Sequence, residues 1–148
     1  MQWKGVLPQG AVYKHPVISL DIYTTSLAAA GENKPSTKLD GKNLLPYLQG
    51  KRKSAPHGSL HWRFLDKRAL RKGNWKLVQE ANSPSAELYN LENDIGEKKD
   101  LARERPDKLK ELEKAYKAWD VQMKDPKAVS LTSLLRLRKQ GKWPLKRK

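Results

Sequence analysis

Apolar positions along this 148-residue chain gather in three stretches, residues 1–31, 59–91 and 109–123, joined by polar connectors. The first stretch opens with Gly5, Pro8, Gly10 and Pro16 punctuating short apolar pairs, the pattern of a strand end followed by turns. In LDIYTTSLAAAG, Leu20, Tyr23, Leu27 and Ala30 recur at helical spacing, with Ser19 or Asp21 available as a cap and Gly31 as a left-handed stop. A short amphipathic helix is predicted there. A polar loop with Asp40-Gly41 as its turn signal follows, and LLPYLQG predicts one further helical turn. The basic stretch KRKSAPHG then marks a subdomain boundary near residues 56–58.

From Ser59 the period changes to two. Leu60, Trp62 and Phe64 point one way and His61 and Arg63 the other, so the apolar trio is predicted to form the buried face of a strand. A second strand runs from Arg68 to Lys72, and Gly73-Asn74 suits a two-residue hairpin connection because glycine takes the positive φ required at its first central position. Trp75 to Gln79 returns antiparallel, and ELYNL makes a fourth short strand before the loop ENDIGEKKDLARER. The pattern predicts a four-stranded antiparallel meander.

Pro106 suits a first helical position, after which Leu109, Leu112, Tyr116, Trp119 and Met123 recur at steps of three and four. That stripe is predicted to cover one face of the sheet, which an isolated meander would leave wet. Beyond Pro126 the tail is basic; Leu131, Leu134, Leu135 and Leu137 suggest a short helix ended by Gly141 and Pro144. The organisation expected is thus residues 1–57, a sheet-plus-helix subdomain at 58–125, and a basic tail at 126–148.

Composition narrows the chemistry more than the fold. Lysine and arginine outnumber aspartate and glutamate by 31 to 16, a formal charge of +15 that favours polyanions such as nucleic acid, sulfated glycans or anionic lipid. No cysteine is present, which excludes disulfides, thiolate metal ligands and a cysteine nucleophile within these residues. No apolar run approaches the roughly 20 residues of a membrane span. The opening residues lack the order of a secretory signal, so an export signal is expected only on sequence upstream.

Three segments, in this order, carry a family resemblance. WKGVLPQGAVYKHPVISLDIYTTSLAAAG, then LDGKNLLPYLQGK, then LHWRFLDKRALRKGNWKLV with ELYNLENDIGEKKDLARERP and the helix holding Trp119 resemble the C-terminal portion of the sulfatases. Thr24 stands where many members carry proline, a mild departure. The resemblance spans about residues 3 to 123. It implies an α/β fold of the alkaline-phosphatase/sulfatase kind, of which this chain would hold closing elements of the catalytic domain and the smaller antiparallel α+β subdomain. It further implies sulfuric ester hydrolysis by the parent enzyme, a missing N-terminal sulfatase domain as partner, and export to a periplasmic, secreted or lysosomal setting.

Sulfatases use a divalent cation, calcium or magnesium, and a formylglycine made from a Cys/Ser-x-Pro-x-Arg motif. The nearest string, Ser54-Ala55-Pro56-His57-Gly58, has glycine where arginine belongs and reads as a decoy. Asn93, Asp94 and Glu97 read as turn formers rather than as a hard-cation site. His57 and His61 are four apart, but Gly58 and the alternating strand spoil the helix that would aim both at one metal. No catalytic residue, metal ligand or cofactor is therefore assigned to this chain.

His61 and Arg63 are the candidate substrate-binding residues, because a cation beside an imidazole suits a sulfate or carboxylate; a solvated strand face or a salt bridge is the competing reading. Trp62, Trp75 and Trp119 could stack on sugars or bases, but their alternation with apolar neighbours favours core packing for all three. Function is thus expected to be that of an inactive sulfatase fragment acting on a sulfated small molecule or glycan within its parent. The alternative is a basic module binding nucleic acid or sulfated glycan, with no membrane span.

Overall fold

A computed structural model of the chain describes residues 1–32, 37–64 and 66–123. The basic tail and the short helix expected within it lie outside the described residues. Two compact units emerge, Met1–Leu60 and His61–Lys148.

In the first unit, helix α1 spans Leu20–Ala29 and a single helical turn, α2, spans Leu45–Leu48. Gly31 takes φ +92° and donates its N–H to the Ala28 carbonyl, while Glu32 N–H reaches the Leu27 carbonyl, closing α1 as the glycine signal implies. Ser19 occupies the cap position without a side-chain cap bond. The amphipathic expectation fails for α1. Leu20 and Tyr23 are 52% and 60% exposed, whereas Asp21 and Thr25 are the residues buried. Polar demand decides this orientation: both buried side chains satisfy backbone groups of the segment around Lys42, an interaction that a purely apolar face could not supply.

The second unit is the expected antiparallel meander, β1 (Leu60–Phe64), β2 (Lys67–Lys72), β3 (Trp75–Gln79) and β4 (Glu87–Asn90), in spatial order β1-β2-β3-β4. Gly73 takes φ +59° in the β2–β3 turn, and the register pairs Leu70 with Leu77 and Ala69 with Val78. Leu77 in turn pairs with Leu88 on β4. These three leucines are fully buried and form the row on which helix α3 (Pro106–Asp120) lies.

Proline occupies the first turn of α3, where its missing N–H costs nothing, and Asp107 adds a carboxylate at the positive end of the helix dipole. Leu112 and Tyr116 are buried in the core, with Leu109 and Trp119 packed against it. Fully burying a large apolar side chain contributes roughly 1.5–3 kcal/mol, so this stripe holds the helix on the sheet. Edge strand β4 is covered by its own loop. Leu101 N–H reaches the Leu88 carbonyl, and Asp100 accepts the N–H groups of Leu88 and Ala102.

Strand β1 alternates as expected, with the opposite polarity. His61 and Arg63 turn toward α3, His61 stacking on the Trp119 ring and Arg63 bonding Asp120. Trp62 and Phe64 face away from it, 41% and 67% exposed. Core packing therefore holds for Trp75 and Trp119 and is overturned for Trp62. The acidic groups on α3 explain the inversion. Asp120, Glu113 and Glu111 meet Arg63, Arg68 and Lys72, so the helix-facing side of β1 and β2 carries cations at its margins and leucine at its centre. Among the described residues no helix is long and apolar enough to cross a membrane.

Candidate functional site

Two clusters concentrate polar chemistry, one in each unit. In the first, Asp21 sits in the opening turn of α1, fully buried. Its Oδ1 accepts the Lys42 N–H at 2.8 Å and its Oδ2 the Ile18 N–H at 2.9 Å, while His57 Nε2 lies 2.9 Å from both oxygens. Burial pushes this carboxyl upward, but the Ile18 and Lys42 N–H groups and His57 outweigh it and hold the carboxyl below its ordinary value.

Gly41 makes that convergence possible. A Cβ there would stand 2.2 Å from the Leu20 carbonyl oxygen, so the Asp40-Gly41 turn approaches α1 backbone to backbone. Thr25 completes the cluster, donating to the Lys42 carbonyl and accepting the Leu44 N–H at 3.0 Å. Asp21, Lys42 and His57 are far apart in sequence, and only the serine-aspartate cap signal marks Asp21 beforehand. Nothing in the spacing points to His57 as its partner.

The second cluster holds both residues singled out for substrate binding. Arg63 Nη1 donates to Asp120 Oδ1 at 2.6 Å. His61 lies parallel to the Trp119 indole, ring centroids 4.9 Å apart, with Tyr116 at 6.4 Å. Burial lowers the His61 imidazole, favouring the neutral ring, and its Nε2 is buried with no protein hydrogen-bond partner. The guanidinium of Arg68 stands 5.4 Å over the Tyr116 ring and bonds Glu113. These side chains form a continuous aromatic and ionic seam between sheet and helix.

The candidate donors of the acidic loop are engaged within the chain. Asp94 Oδ2 accepts the Lys98 and Lys99 N–H groups at 2.8 and 2.9 Å, and Glu97 pairs with Lys76. His57 and His61 are each committed to the separate settings described above, and the backbone between them is not helical. Among the described residues no group of three or more histidines, cysteines, aspartates or glutamates could hold a metal ion.

No family profile matches the chain. It is 44% identical over 63 residues to an uncharacterized sulfatase, YdeN, of Escherichia coli (strain K12), a match covering 42% of this chain and 11% of that protein. It is 32% identical over 108 residues to the uncharacterized sulfatase PB10D8.02c of Schizosaccharomyces pombe, covering 65% of this chain and 20% of the relative. Among solved structures it is similar to Ps i-CgsB, crystallised in complex with k-i-k-neocarrahexaose, at a TM-score of 0.73 and 26% identity. That superposition covers 97% of this chain and 33% of the other. The chain thus spans a fifth or less of these two curated relatives and a third of the solved neighbour.

Proposed function

We propose that the chain, similar to sulfatases over a part of their length, is a C-terminal portion of that family and serves as the bracing part of a sulfuric ester hydrolase. One observation carries this reading: nearly the whole chain superposes on a neighbour of which it accounts for only a third. The parent would hydrolyse a sulfate ester or sulfamate, and the saccharide in the neighbour's complex favours a sulfated glycan over a small aryl sulfate.

On this reading the nucleophile and the cation belong to residues outside this chain, in which Asp21, His57, His61, Asp94 and Glu97 are engaged in turns, ion pairs and ring stacking. The isolated chain is then inactive. His61 and Arg63 enter the proposal as residues bordering the substrate pocket of the complete enzyme. What supports their inclusion is a fixed cation beside a neutral imidazole at the edge of the sheet, with Asp120 holding the guanidinium in place.

The charge of +15 favours a second reading, a polyanion-binding module. One experiment addresses both. The purified chain is assayed for hydrolysis of 4-nitrophenyl sulfate and for retention on heparin and duplex DNA across a salt series. Absence of turnover with retention no stronger than that of any basic protein fits the sulfatase part. Turnover by the chain alone sinks the division of labour, and salt-resistant retention moves the assignment to the binding module.

A further inference from the structure

The sheet has a second face, and α3 does not cover it. Trp62 lies between two clefts on that side. One is lined by Trp62, Phe64, Ala69 and Val78, the other, of about 420 Å³, by Trp62, Ala69, Leu91 and Ile95 among others. Phe64 and Ile95 are 67% and 79% exposed, so the apolar residues form one connected strip rather than scattered single positions. Ala69 and Val78 are direct partners across β2 and β3, and their small side chains leave a shallow trough beside the Trp62 ring. Ion pairs border it, Lys67 with Glu80 and Lys76 with Glu97. An apolar centre ringed by paired charge is the composition of a protein-covered surface.

We propose that this face, centred on Trp62 and the Ala69–Val78 pair, is the surface on which the remainder of a sulfatase polypeptide packs. The proposal rests on the reading of the chain as a sulfatase part and adds which of its surfaces meets the rest. The occupant is polypeptide supplied from the two thirds of a Ps i-CgsB-like chain that this one does not span. It presents apolar side chains to the trough and polar groups to the ion pairs at its border. A second copy of this chain is the poorer occupant, because two chains of charge +15 repel.

Two measurements test this. In the Ps i-CgsB crystal structure, the positions superposing on Trp62, Phe64, Ala69 and Val78 should lie in van der Waals contact with the unmatched two thirds of that chain. Solvent over those positions overturns the proposal. In solution, this chain replaces the matching third of Ps i-CgsB, and hydroxyl-radical labelling of Trp62 is compared between the chimera and the isolated chain by mass spectrometry. Labelling should fall several-fold in the chimera, and Phe64→Lys with Ala69→Lys, which leave the reporter Trp62 in place, should restore it and split the thermal transition in two. A chimera that unfolds in one step while Trp62 stays fully labelled rejects this face and leaves the sulfatase reading standing. A chimera whose grafted third is labelled everywhere as in isolation rejects the reading itself. Should the chimera not fold, the superposition decides alone. A concentration-dependent dimer of the isolated chain that Trp62→Lys abolishes would assign the face to a second copy instead.

Discussion

Asp21 and His57, 36 residues apart, meet at 2.9 Å in a bifurcated contact that spans both carboxylate oxygens. The same carboxylate anchors the Ile18 and Lys42 backbone amides, so one buried side chain ties together the entry to α1, the Asp40-Gly41 turn and the basic linker. Replacing Asp21 by alanine strands two amides and an imidazole at once. The expected cost is about 3 kcal/mol, read from the urea midpoint of the chain. Asp21→Asn, which keeps an acceptor but loses the charge, should cost less; equal loss in both variants would mean that the charge carries the effect.

The pH response of this carboxyl follows from its sign. Its folded value lies below the ordinary 3.8, so its stabilisation is complete above that pH and is lost as pH falls through the folded value. Acid unfolding of the wild type should therefore be steeper below pH 3.8 than that of Asp21→Asn. Parallel curves would contradict the assignment.

His61 gives a second, separate pH window. Its folded value lies below 6.5, so the unfolded chain takes up a proton that the folded chain refuses. Stability should hold above pH 6.5 and fall as pH drops beneath it, levelling off below the folded value. His61→Phe keeps the ring against Trp119 and removes the titrating group, so its stability should be flat across that interval in thermal melts. A wild type equally flat would place the imidazole in water.

Gly41 offers a steric test. An alanine methyl would meet the Leu20 carbonyl at 2.2 Å, and both partners are backbone, which cannot swing aside. Gly41→Ala should destabilise by about 1–3 kcal/mol and disturb the Asp21 cluster with it. A melting temperature unchanged from wild type would refute the close approach.

The two tryptophans that flank β1 and α3 differ in the same kind of experiment. Trp119 packs on the core and on His61, so Trp119→Ala should cost about 3 kcal/mol in the isolated chain. Trp62 is exposed, and its truncation should change stability by less than about 1 kcal/mol. The reverse ranking would restore the polarity that alternation alone suggests for β1.

Arg63 separates structure from substrate contact. In a complete enzyme Arg63→Ala should raise KM with kcat nearly preserved if the guanidinium reaches substrate. A lowered Tm with unchanged kinetics would confine it to the seam with Asp120.

Much of this fold is written in local pattern. The two-residue turn at Gly73-Asn74, the proline that opens α3 and the stripe from Leu109 to Trp119 are short-range signals, and each element lies where they put it. The sulfatase resemblance, too, is read from the order of such segments along the chain. What the sequence could not determine was which way an alternating strand or a short helix turns. Period two separates His61 and Arg63 from Trp62 and Phe64 without saying which pair meets α3; that depended on Asp120 and Trp119, more than fifty residues away. On α1 the apolar spacing of Leu20 and Tyr23 lost to the polar demands met by Asp21 and Thr25, partners brought close only by the folded chain. Periodicity is a property of neighbours along the chain, whereas burial is settled by the free energy of whatever tertiary surface arrives opposite.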